Sequence, residues 1–250
     1  MDLKLLDKMP PPQTVQEQLR LLRGLLYGDF GIGKTTLAGQ IIKAIGGKAM
    51  MVTTDSAWTV LQNDPEVADN IYRWAFDSFA QIRLMVEAHE EGIEPYASCR
   101  TLLWDTLSTS VDTMLRQTVA NKKFLNQQVD PELEGYPHYR LVANALKETV
   151  NTIKKSDLHV IYTAHMREPN DNDKAKKRFA IRPNAPEASF NVVAQEANLI
   201  GWLSRENRGK EIQIQFEPTI QETAKSQIPT IQQTTYPVTQ VPELIKKWIQ

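Results

Sequence analysis

The sequence predicts an α/β fold: a mostly parallel central sheet with helices on both faces. Three observations carry that prediction. Short apolar runs with little polar alternation, the pattern of strands buried on both faces, recur between residues 24 and 217. Stretches of helical period separate them, which suits crossover connections between parallel strands. A glycine-rich turn, GDFGIGKTT at 28–36, joins the first run to the first helix.

Residues 1–22 read as a lead-in, where Pro10, Pro11 and Pro12 break any early helix. Gly24-Leu25-Leu26-Tyr27 is the first strand, and a helix over 34–45 follows the turn. Gly46-Gly47 ends that helix, because a left-handed C-cap favours glycine. AMMVTT at 49–54 is the second strand and NIYRWAF at 70–76 the third, with Asp77 or Ser78 capping a helix that runs to 90. TLLWD at 101–105 is a short apolar run ending in an acid, the mark of a central strand, and a helix over 108–120 follows. Residues 121–137 are loop-like, 138–155 have helical period, and LHVIYTA at 158–164 is the next strand. After the polar stretch 165–192 come strands NLIGWLS at 198–204 and EIQIQFE at 211–217. Residues 218–240 are rich in Gln and Thr and offer little to bury. The terminal PELIKKWIQ reads as an amphipathic helix that docks through Leu244, Ile245 and Trp248. The chain thus divides into a lead-in at 1–22, a core domain at 23–217, and a polar segment with a terminal helix at 218–250.

The turn carries chemistry. Gly28-Asp29-Phe30-Gly31-Ile32-Gly33-Lys34-Thr35 fits G-x-x-x-x-G-K-[ST], the phosphate-binding P-loop, at every fixed position. Chance alone gives such a match in about one chain in a hundred of this length. Gly28, Gly31 and Gly33 let the backbone wrap a triphosphate with its N–H groups turned inward. Lys34 is expected to reach the β- and γ-phosphates of ATP and the Thr35 hydroxyl to ligate Mg²⁺. Thr36 is expected near the nucleotide without a metal role.

A second anchor for Mg²⁺ is expected from Asp105, the acid that closes TLLWD, with Thr106 or Ser108 free to cap the following helix. Hydrolysis also needs a group that activates water. Asp55, at the end of the second strand, faces the γ-phosphate if that strand neighbours the P-loop strand; alternatively it caps the turn before Trp58. Glu168 is a rival. Tyr162-Thr163-Ala164-His165 brings a hydroxyl and an imidazole to the edge of the sheet where ligands sit in open α/β folds. There Thr163 senses the γ-phosphate and His165 passes its state to the next loop, unless both serve only structural hydrogen bonds.

That loop, 165–183, holds Arg167, Lys174, Lys176, Lys177, Arg178 and Arg182 around Phe179, a composition suited to single-stranded DNA. The alternative is an ordinary solvated loop. Arg205, Arg208 and Lys210 lie between the last two strands, either as turn residues or as a finger reaching a neighbouring subunit's triphosphate. Trp104 and Trp202 read as core, and Trp58 as a neighbour of the nucleotide base.

Composition narrows the classes. With 29 basic and 30 acidic residues the net charge is −1, which gives no bulk attraction to DNA or anionic membranes. The lone Cys99 excludes an intrachain disulfide and a thiolate cluster. Four histidines without paired spacing give no support to zinc. The first residues are too polar for a signal peptide and no run is long enough to span a membrane, so a cytoplasmic setting is expected.

LLYGDFGIGKTTLAG at 25–39, VTTDSAW at 52–58, TLLWDTLS at 101–108 and VIYTAHMRE at 160–168 together resemble the phage-type RecA-like P-loop ATPases, the Sak4-like single-strand annealing and recombination proteins often described as AAA-domain ATPases. The resemblance covers most of 24–217. It implies a RecA-like core, ATP and Mg²⁺ as cofactors, and ATP-dependent binding of single-stranded DNA. It further implies a homo-oligomer, a single-stranded DNA-binding protein as partner, and the host cytoplasm if the gene is a phage's. Lys34 and Thr35 match the family's Walker A pair and Asp105 its Walker B acid. Asp55 falls where the family has a catalytic glutamate, one methylene longer. Two further readings stand beside this one: a helicase-loader or packaging motor, and a nucleotide-gated interaction module that uses the Gln/Thr segment and terminal helix.

Overall fold

In the computed structural model, which describes residues 20–124, 137–167, 182–183, 187–205, 211–218 and 224–250, the apolar runs become neighbouring strands of one sheet. Six strands lie parallel in the order β3 (Ile71–Ala75), β2 (Lys48–Thr53), β4 (Cys99–Asp105), β5 (His159–Arg167), β1 (Arg23–Gly28), β7 (Leu199–Arg205). Antiparallel β8 (Ile212–Gln215) and β10 (Thr235–Pro237) extend the β7 edge. Two short antiparallel strands sit off this path: β6 (Arg182–Pro183) on the end of β5, and β9 (Lys225–Ser226) on β7. The fold is a P-loop α/β architecture whose parallel core carries an antiparallel edge.

Side-chain alternation along each strand splits the core into two layers. Leu25 and Tyr27, Met50 and Val52, Leu102 and Trp104, and Val160 and Tyr162 face one layer. That layer is covered by α3 (Phe79–Glu90), α4 (Leu107–Phe124), α5 (Pro137–Lys155) and α6 (Glu187–Glu196). Leu26, Met51, Leu103 and Ile161 face the other, beneath α1 (Lys34–Ile45), a 3₁₀ turn (Ala57–Asn63), the one-turn helix α2 (Pro65–Ala68) and α7 (Val241–Ile249). Each such fully buried side chain contributes roughly 1.5–3 kcal/mol. Trp104, wholly buried, donates its indole N–H to Ser110 Oγ at 2.8 Å, so the largest core side chain leaves no polar atom unpaired. At the opposite end of the sheet from the P-loop, the Arg23 guanidinium donates to the carbonyls of Ser156 (2.9 Å), Ile153 and Leu158, where it caps the C-terminus of α5.

Two features depart from the sequence pattern. The second strand does not neighbour the P-loop strand: β4 and β5 lie between β2 and β1. The Gln/Thr-rich segment also buries more than its composition suggests, with Ile228, Ile231 and Tyr236 in the α1-side layer and Tyr236 on β10. Helix α7 packs Val241 and Ile245 into the same layer, against α1. No helix among the described residues is long and apolar enough to cross a membrane.

Candidate functional site

Strand register brings the chemistry to one edge. Gly28 pairs with His165 on β5 and with Leu203 on β7, and Thr53 on β2 pairs with Asp105 on β4. Asp105, Thr163 and His165 share the strand parity of Leu103 and Ile161, the side covered by α1. The loop and helix that leave β1 therefore lie over these three residues.

The P-loop needs glycine for two different reasons. A Cβ on Gly28 would stand 2.6 Å from the Leu203 carbonyl oxygen, so β7 can pass this closely only beside glycine. Gly33 is the N-cap of α1 at φ 99°, a left-handed conformation, and offers no side chain to the first-turn amides. Those N–H groups remain for an anion. Lys34, 6% exposed, lies across the loop and donates its Nζ to the carbonyls of Asp29 (2.6 Å) and Gly28 (3.1 Å). Burial holds its ammonium below the ordinary lysine value, against the pull of Asp105, Asp29 and Asp55. Ile32 turns its side chain into the core layer beneath α1. Asp29, Phe30 and Thr36 are exposed at the mouth.

Asp105 is wholly buried and held by two hydroxyls: Thr35 Oγ1 donates to its Oδ2 at 3.1 Å, and Thr163 Oγ1 donates to its Oδ1. Burial raises its pKa above the ordinary value, opposed by the Thr163 bond, reinforced by the charge of Asp55, and opposed again by Thr35 and Lys34. No cationic side chain hydrogen-bonds it among the described residues. A buried carboxylate so situated is incompletely compensated. Beside the Thr35 hydroxyl it forms an all-oxygen donor set that fits Mg²⁺. The Thr163 hydroxyl is thus aimed at Asp105, a structural hydrogen bond of the kind the sequence left open beside γ-phosphate sensing. Thr106 Oγ1 accepts from the Thr109 N–H at 3.4 Å and caps α4, so Asp105 is not needed there.

Asp55 follows β2, two strands away from the position that would make it a direct neighbour of the P-loop strand. Its Oδ1 accepts from the Ala57 N–H at 2.8 Å, so the turn before Trp58 is capped. Its other carboxylate oxygen makes no hydrogen bond among the described residues. The carboxylate is exposed, and its charge reaches Lys34, Asp105 and His165.

His165 donates its backbone N–H to Ser108 Oγ at 3.0 Å and stacks its ring on Phe30 at 3.7 Å between centroids. Its Nδ1 is buried with no partner among the described residues. Burial, then the Lys34 charge, lowers its pKa. Beyond it, Met166 and Arg167 pair with Pro183 and Arg182, so the basic segment starts and ends on one short two-stranded stem. Glu168 and the rest of that segment to 181 lie outside the described residues, as do Arg208 and Lys210.

Sequence reasoning gave Ser108 only a capping role and overlooked both its bond to the His165 N–H and the Phe30–His165 stack, which only the fold brings together. It also overlooked the outer wall of the site. A cleft of about 490 Å³ runs between Gly31, Gly33, Thr36 and Gln40 on one side and Arg205, Ile212 and Val238 on the other. Trp58 is not part of it: Arg73 lies over its ring at 4.3 Å.

Residues 20–228 match the family model described as an AAA domain. No curated protein matches the sequence. Among solved structures, one titled as the crystal structure of the RadB recombinase is similar at 13% identity and a TM-score of 0.47, covering 76% of this chain and 78% of that one.

Proposed function

The chain belongs to the AAA-domain family of P-loop ATPases, and from that premise we propose that it hydrolyses ATP with Mg²⁺ and couples turnover to single-stranded DNA in recombination or annealing. The observation that carries the nucleotide reading is the Thr35–Asp105 hydrogen bond, 3.1 Å long, beneath a P-loop whose lysine already lies along the loop carbonyls. Lys34 swings from those carbonyls to the β- and γ-phosphates, which offer it far more charge. Thr35 and Asp105 would hold Mg²⁺, with Thr163 fixing the carboxylate's orientation through its hydroxyl. When bound, the ion neutralises charge on the β- and γ-oxygens. Asp55 positions the attacking water through the oxygen not used in the turn cap. His165, neutral because burial and Lys34 lower its pKa, reads the γ-phosphate and passes its state to the stem at Met166 and Arg167.

The DNA limb rests on the sequence of the 165–183 loop, whose two-stranded stem begins directly after His165. A homo-oligomer on DNA, with a single-stranded DNA-binding protein beside it, completes this reading. The interaction-module alternative is weakened by α7, whose apolar face is already used against α1.

The test is turnover with and without single-stranded DNA, for the wild type and for a variant with Lys174, Lys176, Lys177 and Arg178 all changed to alanine. Stimulation by DNA that the variant loses supports the coupling. Turnover indifferent to DNA in both proteins moves the assignment to a motor or loader that acts through a protein partner.

A further inference from the structure

We propose that Arg205 grips the phosphates of the nucleotide bound to its own chain, rather than reaching into a neighbour's site. The inference rests on the nucleotide-binding reading above and adds a cation that the P-loop motif does not contain.

Strand register fixes where Arg205 stands. Leu203 pairs with Gly28, the last residue of β1 before the P-loop, and lies in the layer beneath α1. Arg205, two residues on, emerges on the same face of the sheet. It therefore stands beside the P-loop just after the loop leaves the sheet. β8 returns directly from it, with Ile212 paired to Arg205. A Cβ on Gly33 would meet Ile212 Cδ1 at 3.5 Å, so the β7–β8 hairpin lies against the loop itself.

The cleft of about 490 Å³ between hairpin and loop is large enough for a nucleoside and its proximal phosphates. Its lining is apolar on the far wall, through Ile212, Val238 and Pro242, and presents Thr36 and Gln40 from α1. Arg205 is the one charged group among the described lining residues, none of which is a carboxylate. It makes no hydrogen bond or ion pair among the described residues.

Position decides which phosphates it meets. Lys34, Thr35, Asp105 and His165 gather on the side toward β4 and β5, where the γ-phosphate and Mg²⁺ belong. Arg205 stands on the opposite flank, toward β7 and β8, where the nucleoside leaves the loop. Its guanidinium fork therefore takes the α- and β-phosphate oxygens, which ATP and ADP share, and binds them bidentately. A finger acting across an interface behaves differently: it stabilises charge that develops at the γ-phosphate and needs a second subunit.

Binding of Mg·ADP and Mg·ATP by titration calorimetry separates the two roles, for the wild type, Arg205→Ala, Arg205→Lys and Lys34→Ala. Measurements span protein concentrations over which light scattering reports the state of association, and turnover is followed in parallel. The expected result is that Arg205→Ala weakens both nucleotides by about tenfold, equally at every protein concentration. Arg205→Lys recovers part of that loss, because an ammonium cannot fork. Unchanged ADP affinity with turnover lost only in the associated protein would assign Arg205 to a neighbour's site and overturn the proposal. Unchanged affinity and unchanged turnover would make it a solvated turn residue and also overturn it. If Arg205→Ala binds normally while Lys34→Ala does not, this inference falls and the nucleotide reading stands. If the wild type binds neither nucleotide, both fall together.

Discussion

Replacing Asp105 with asparagine should stabilise the nucleotide-free protein and remove its stabilisation by Mg·ATP. The carboxylate is wholly buried, held by the hydroxyls of Thr35 and Thr163, and pushed on by the charge of Asp55. Its folded pKa is accordingly raised above the ordinary 3.8. The sign follows from linkage. Below the unfolded value both states carry the proton, and the substitution gains nothing. As pH rises from there toward the raised folded value, the unfolded carboxyl ionises first and the wild type loses stability that asparagine keeps. Above the folded value the advantage is complete. Neutralising a buried carboxylate without a cationic partner is worth on the order of 1 kcal/mol, or about 2–4 °C in melting temperature for a chain of this size. Mg·ATP at a hundredfold excess over Kd should stabilise the wild type by about 2.7 kcal/mol, and the neutral amide forfeits most of that gain. Thermal melts across pH, with and without Mg·ATP, read both effects. An Asp105→Asn protein less stable than wild type at neutral pH would refute the electrostatic reasoning. A retained Mg·ATP shift would refute the metal assignment.

Gly28→Ala places a Cβ 2.6 Å from the Leu203 carbonyl oxygen and should push β7 from β1; urea melts should show a loss of about 1–3 kcal/mol. His159 is held at about 4 rather than 6.5 by burial and by the charges of Arg100 and Arg23. Because the unfolded imidazole takes up its proton first, stability should fall as pH drops from 6.5 toward 4, by about 3 kcal/mol in all. His159→Asn, which keeps an acceptor for the Leu22 N–H, should flatten that slope in denaturant melts. Thr163→Val removes a donor from Asp105, so the carboxyl should hold its proton to higher pH and the acid limb of the turnover profile should move upward. A limb that stays in place would mean that Asp105 does not titrate in the working enzyme.

How much of this was readable in the chain depends on how local each cause is. β1, β4 and β5 were legible because strands buried on both faces must be apolar throughout, as LLY, TLLWD and HVIYTA are. The P-loop was legible because its glycines answer to backbone geometry within eight residues. The place of β2 was not, since sheet order is set by which faces pack together across the whole domain, and two strands came to separate it from β1. Asp55 reaches the site's charges nonetheless, from the edge beyond Asp105. The 224–237 region hid its strands because Ile228, Ile231 and Tyr236 are spaced singly among Gln and Thr, without period. Thr163 and Ser108 illustrate a different limit. A hydroxyl's partner is chosen by neighbours on other strands and helices, so sequence located Thr163 at the sheet edge but could not aim it at Asp105. Arg205 was noticed as a charge, and only the pairing of Leu203 with Gly28 showed whose P-loop it flanks.

Release of phosphate from ATP at steady state, with Mg²⁺ present or chelated, for the wild type and for Lys34→Ala, tests the central claim most directly. The structure predicts turnover by the wild type that needs Mg²⁺ and disappears in the variant, whose melting curve stays close to that of the wild type. Equal release by the two folded proteins, or wild-type release indifferent to Mg²⁺, would contradict the assignment of Lys34, Thr35 and Asp105 as the working centre.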